Sequence, residues 1–395
     1  MRITMLIIRT AIKNILGAGK RTWLNVFVLS FTMVIMIAFN GLIDGWVEES
    51  KIESINWEMG DGQFWHPEYD PYDVFSLQDA HGKIPEDFFA DIENKNITPI
   101  LLTQATIYSQ GRMQNSILNG IDTEQSILKI PSHLLKIENQ VDIPIIIGER
   151  MAKSAGLKEG ELVMLRWRDK NGVFDAREVL VVGIFKNKVP STDIGQIWIN
   201  INDLYDMTGM QNEATYFVKS KDCDLNIINS RWVFRDLKYL LADIDAMKQG
   251  AAAESAILFI LLLSISLLAV FDTQALSVFR RQKEIGTYIA LGMTPKKVIR
   301  LFTIEGTCYS IFAVFAGLIW GTPLLLLFKK YGYSIPGSFQ EVGVVMGEAM
   351  YPVYYFSSVI ASLLIIIVLS AVISFLPARK IAKQNVVYAL KGKIN

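Results

Sequence analysis

Residues 17–20, Gly-Ala-Gly-Lys, come closest in this chain to a nucleotide-binding loop, whose backbone N–H groups and lysine would cradle phosphates. That loop needs a glycine five residues ahead of its Gly-Lys pair and a serine or threonine after it. Asn14 and Arg21 stand there instead, and no strand precedes them. The run reads as a flexible basic turn, and ATPase chemistry is not expected of this chain. His66, His81 and His133 lie far apart and lack the HExxH or CxxC spacing of a zinc site. Cys223 and Cys308 are too few for a disulfide framework and are expected in different compartments. There is no GxSxG and no Cys/His nucleophile pair, so no catalytic, cofactor-binding or metal-binding residue is assigned.

What the residues do offer is a membrane. Of 395 residues, 51% are hydrophobic and only 20% charged, which excludes a disordered chain and argues against a wholly soluble one. The apolar run 22–43 would reach about 33 Å as a helix, against a hydrocarbon core of about 30 Å. Three more follow at 253–279, with its apolar part starting near Ser255, 302–328 and 354–376, with Asp272 and Glu305 as the charged interruptions of the apolar stretches. The first run is too long for the apolar part of a signal peptide and no small-x-small cleavage site follows it, so it is read as retained.

Charge sets the orientation. Residues 1–21 carry Arg2, Arg9, Lys13, Lys20 and Arg21 and no acid. The link 280–301 carries six basic residues against Glu284, and the tail 377–395 carries five and no acid. Positive flanks resist translocation, so all three are expected in the cytoplasm, both termini included. Within 1–21, Arg2, Arg9 and Lys13 fall within about 40° on a helical wheel with isoleucines opposite, as in an interfacial helix. The formal net charge of zero hides an acidic middle, because residues 44–254 hold 34 acidic and 21 basic side chains. The basic residues hug the membrane, which excludes nucleic acid as a partner.

Between the first two spans, residues 44–252 are enough for a folded domain. Strand-like runs at 97–106, 116–121, 143–147, 162–167, 178–184 and 195–199 are punctuated by Gly, Asn and Asp, with helical stretches at 149–155 and 201–207. The fold class expected is an α-helical membrane protein with four transmembrane helices and an α+β extracytoplasmic domain inserted between helices one and two. Residues 329–353, Gly- and Tyr-rich, form an outside loop.

The link 280–301 contains its own punctuation: Gly292 ends one helix, Thr294 caps the next and Pro295 fits its first position. Ile285, Ile289 and Leu291 on the first of these helices either dock a cytoplasmic partner or bury against neighbouring helices, and the physics leaves both open.

At these residues the chain resembles a known family. Residues 281–286 (Arg-Gln-Lys-Glu-Ile-Gly), 290–293 (Ala-Leu-Gly-Met) and 304–306 (Ile-Glu-Gly) look like the core signature of ABC-transporter permeases of the FtsX/MacB superfamily. The ending 376–382 (Leu-Pro-Ala-Arg-Lys-Ile-Ala), through Val386 to Ala389-Leu390, is similar to that family's, with Asn385-Val386 where Asp-Pro is common. Ile146-Ile147-Gly148-Glu149, residues 155–161 and residues 181–185 resemble its periplasmic core domain, Glu161 replacing the usual Asp. Phe39-Asn40-Gly41-Leu42 resembles the Asn-Gly-Phe of lipoprotein-releasing permeases.

The resemblance implies a non-catalytic permease subunit in the bacterial inner membrane with its large domain in the periplasm. It implies pairing with a second permease chain and docking of a cytoplasmic ABC ATPase that binds the ATP and Mg; no cofactor belongs to this chain. Membrane lipids and a periplasmic chaperone or adaptor complete the expected partners. Arg281, Lys283, Glu284, Ile285, Gly286, Leu291 and Gly292 become the ATPase-coupling residues, and displacement is expected to pass along the second span, and the first span beside it, into the outside domain. Glu305 matches the family motif; Asp272 matches nothing in it. Lipoprotein release is the function expected, with efflux of peptides or antibiotics, or a membrane-anchored receptor or enzyme without an ATPase, as alternatives.

Overall fold

The computed structural model describes residues 20–137, 142–223, 231–334 and 349–382. All but the end of the expected interfacial helix, the family ending around Asn385 and Leu390, and most of the outside loop fall outside these residues. The chain divides into two compact units: a helical one, holding the residues up to Trp46, Met247–Ser334 and those from Ala349, and a β-rich one, Val47–Ala246.

Among the described residues, four helices are long and apolar enough to cross a membrane: Lys20–Ser54, Ala242–Arg280, Pro295–Tyr331 and Phe356–Ala382. The first three contain the expected apolar runs, but the first continues past 43 to Ser54, the second starts at Ala242 rather than 253 and the third at Pro295 rather than 302; the fourth starts at Phe356 rather than 354 and continues past 376 to Ala382. Hydropathy marks only the part that lipid must solvate, whereas the polar extensions stay helical because their charges find partners across helices. Lys248 Nζ lies 2.9 Å from Asp44 Oδ1, and Lys51 Nζ lies 2.5 Å from Asp245 Oδ1. The expected domain 44–252 therefore loses both ends to helix.

The helical unit packs Leu29 and Met33 of the first span helix, Leu267 and Val270 of the second, Tyr309 and Ala313 of the third and Ile366 of the fourth into one apolar core. Lipid competes for apolar surface, so polar contacts matter for pairing here. Asn25 Nδ2 donates to Thr273 Oγ1 (2.7 Å), and the hydroxyls of Thr32 and Ser266 lie 2.6 Å apart.

The β-rich unit is built on nine strands: β1 Gln63–Trp65, β2 Ile97–Ser109, β3 Arg112–Ile121, β4 Ile143–Gly148, β5 Leu162–Arg168, β6 Phe174–Phe185, β7 Gln196–Asn200, β8 Tyr216–Lys219 and β9 Val233–Arg235. Their order is β9-β1-β8-β2-β3-β7-β4-β6-β5, and β5 also pairs with β2 (Ala105↔Trp167 to Tyr108↔Met164). Six strands from β2 to β5 thus close on themselves, leaving no free edge. Alternation along β5 shows why: Val163, Leu165 and Trp167 point in while Leu162, Met164, Arg166 and Arg168 point out. The inward set meets Ile107, Leu118, Ile145, Val181 and Ile197 in one core.

The six expected strand runs are all strands of this closed sheet. The short β1, β8 and β9, like the helix Glu86–Glu93, escaped the sequence reading because runs this brief show no periodicity; aromatic contacts support them instead. Phe217 sits edge-on to both Phe88 and Trp232, each 4.7 Å away.

The helix Glu149–Ala155 leaves β4 at Gly148, and the buried Asp193 carboxylate covers its start, accepting from Met151 N (3.0 Å), Arg150 N (3.2 Å) and Arg150 Nη1 (3.1 Å). Asp193→Ala strands those donors and should cost about 3 kcal/mol. Thermal unfolding of the full chain in detergent should show a clearly lowered midpoint, with Asp193→Asn intermediate.

Candidate functional site

The link between the second and third span helices folds as a nine-residue helix, Gln282–Ala290. Its end follows the expected punctuation closely. Met293 N donates to Tyr288 O (2.9 Å) and Gly292 N to Ile289 O (3.0 Å), the bond pair that terminates a helix when the next residue is left-handed. Gly292 has φ +93°, a region where a Cβ is strained. Thr294 occupies the N-cap of the third span helix and Pro295 opens it, although the Thr294 side chain makes no capping bond.

The helix presents two different faces. Gln282, Ile285 and Gly286 are buried, with Ile285 only 1% exposed against Val278, Val298, Phe302 and Ala378. Lys283, Glu284, Thr287 and Ala290 are exposed, and Leu291 beyond its end is 82% exposed. Of the expected coupling residues, Ile285 and Gly286 thus lie on the packed side, because anchoring a short helix needs an apolar stripe. Lys283, Glu284 and Leu291 lie on the free side.

Arg281 ties the arrangement together. Its Nε donates to Glu284 Oε2 (2.8 Å), its Nη1 to both carboxylate oxygens of Glu305 (3.0 and 3.3 Å), and its guanidinium lies 5.0 Å above the Phe302 ring. Glu305 is 3% exposed. Burial opposes the charge on Arg281, but hydrogen bonding and attraction from Glu284 and Glu305 outweigh it, and its pKa is raised above the ordinary value. Sequence reasoning placed Arg281 in the docking segment and missed this bridge. The available signal was Glu305 itself, a lone carboxylate in an apolar run that required a nearby cation.

Asp272 stands on the exposed side of its helix, with no hydrogen bond or ion pair among the described residues. Cys223 and Cys308 are both buried and lie in separate units. His81 Nδ1 lies 2.6 Å from Glu213 Oε2, and His66 stands edge-on to Trp232.

Residues 256–386, which take in the link and most of the last three span helices, match the FtsX-like permease C-terminal family. The ABC transporter permease YtrF of Bacillus subtilis is 28% identical over 217 residues, 53% of this chain and 44% of its own. The macrolide export ATP-binding/permease protein MacB of Neisseria gonorrhoeae is 22% identical over 283 residues, 67% of this chain and 41% of its own. The chain thus spans less than half the length of these curated relatives. Among solved structures, the periplasmic region of MacB from Actinobacillus actinomycetemcomitans aligns with 49% of this chain and 97% of its own, at 12% identity and a TM-score of 0.32. The chain is similar to the ABC transporter permeases of the FtsX/MacB superfamily, as the motifs from Arg281 to Gly306 implied.

The geometry separates two carboxylates that look alike in sequence. Glu305→Ala leaves Arg281 half-buried beside Phe302 without its main partner and should cost about 3 kcal/mol. Glu284→Ala removes an exposed contact and should cost under about 1 kcal/mol. Thermal unfolding of the two variants, run side by side, measures the difference.

Proposed function

We propose that this chain is the permease subunit of an ATP-driven transporter in the bacterial inner membrane, and that the exposed face Lys283, Glu284, Thr287 and Leu291 docks the ATPase. The observation that carries the reading is this face: a charged and apolar strip on a helix anchored from behind by Ile285 and Arg281. A segment flanked by basic residues belongs on the cytoplasmic side, where the ATP is, and the acidic β-rich unit then falls outside. The partner ATPase would bind ATP and Mg, and two permease chains, each with its ATPase, would form the working complex. ATPase closure would displace the docked link, and the span helices would carry that movement to the outside unit, which must hold cargo differently in the two states.

Export of a small amphipathic molecule or peptide from the outer leaflet or periplasm is the cargo reading favoured here, supported by the similarity to a macrolide export protein. Lipoprotein release is the second reading. It rests on chain size, the four-span layout and Asn40-Gly41, and Gly41 has a packing explanation: its carbonyl accepts from Val353 N (2.9 Å), and a Cβ there would fall 2.4 Å from Tyr354 Cε1. A membrane-anchored receptor or enzyme would leave the exposed strip of the link without use.

Leu291→Asp tests the docking face without touching the core. In a pull-down of the tagged protein, the wild type should retain an ABC ATPase in stoichiometric amount. Leu291→Asp should weaken that retention at least about tenfold, as expected when an exposed apolar anchor is lost, with an unchanged unfolding midpoint. Retention equal to wild type would remove Leu291 from the docking face.

A further inference from the structure

The link helix is joined differently at its two ends. Toward the second span helix the backbone bends at Arg281, where φ −101° and ψ 23° depart from helical values. Toward the third span helix the chain is locked by the bond pair from Gly292 and Met293, so the turn has a fixed shape. The side chains repeat the asymmetry. Ile285 is buried with both Val298 and Phe302 of the third span helix, and partly buried Ile289 and Met293 pack with Ile299 into the same cluster. Val278 is the second span helix's contribution to that cluster among the described residues.

Arg281 adds the strongest connection on the same side. It sits at the bend, yet its guanidinium reaches away from its own helix to hold Glu284 of the link and Glu305 of the third span helix together, over Phe302. A pair this buried resists separation, since parting it would leave two charges uncompensated in a poorly solvated place.

We propose that Arg281 is a positioning residue that clamps the link helix to the third span helix, so that the two move as one body and displacement at the docking face enters the bundle through the third span helix. The bend at Arg281 is then a hinge toward the second span helix, which was the route expected from sequence. This inference rests on the permease reading for what pushes the link, but the clamp itself is a property of this chain alone.

The test is pulsed electron paramagnetic resonance on the full chain in nanodiscs, with its co-purified ATPase, in a Cys223→Ala, Cys308→Ala background. Spin labels at exposed Ala290, outside the docking strip, and at exposed Arg300 report the separation of link and third span helix. In the wild type, a non-hydrolysable ATP analogue should leave this distance distribution unshifted. Arg281→Met should broaden it about two-fold even without nucleotide, as expected for a released rigid-body contact. Arg281→Lys, which can still reach one carboxylate, should recover most of the narrow distribution. Should Arg281→Met fold poorly, Glu305→Gln, nearly isosteric, serves the same purpose. A shift with the analogue in the wild type, or wild-type distributions in both Arg281→Met and Glu305→Gln, would overturn the clamp. Absence of any co-purified ATPase would count against the permease reading, while the nucleotide-free comparison still decides the clamp.

Discussion

Burying a carboxylate at the base of an apolar helix bundle is costly unless an opposite charge comes with it. In this protein Glu305 has that position, and Arg281 answers it from the turn between two helices. Once the guanidinium is committed there, the start of the link helix is fixed in place. The apolar residues of that helix, led by Ile285, then fall against Val298 and Phe302, and its polar residues are left facing out. One ion pair therefore decides both where the link is anchored and which of its side chains a partner could meet. Glu284 shares the same arginine from the exposed side, so the exposed face of the link and the buried anchor are electrostatically connected.

The β-rich unit solves a separate problem. An open sheet would expose two edges to any neighbouring strand, and closure of six strands through the β2–β5 pairing removes the edges of that part. The long β2 makes this feasible: Ile97–Ile100 pair with β8, while Ala105–Tyr108 pair with β5. The same strand thus belongs to the closed part and to the three-stranded extension. Strict alternation of inward and outward side chains holds the register, since a slip of one residue would turn Trp167 out and Arg168 in.

The four spans, the strands of the closed sheet and the helix-turn-helix of the link were legible in the sequence because each has a strong local signature: apolar length, alternation, or Gly292 before Thr294-Pro295. The helical extensions to Ser54 and from Ala242 were not, because cross-helix pairs such as Lys51 with Asp245 have no local pattern. Sheet closure and the short strands β1, β8 and β9 depend on contacts between residues far apart in the chain, such as Phe217 with Trp232. At the candidate site, the motif marked the link but not how its side chains divide between the buried and exposed sides. Arg281 and Ile285 read like Lys283 and Leu291 until the fold sends the first pair inward and the second outward.

The proposed function requires the outward side of the link to meet an ATP-binding subunit. The most direct measurement places a photo-crosslinking amino acid at Leu291 in the full chain expressed in bacterial cells, with the same label at buried Ile285 as the comparison. The account predicts a strong adduct from Leu291 that contains an ABC ATPase, and little or none from Ile285. Adducts from Leu291 that contain only lipid or another copy of this chain would contradict it.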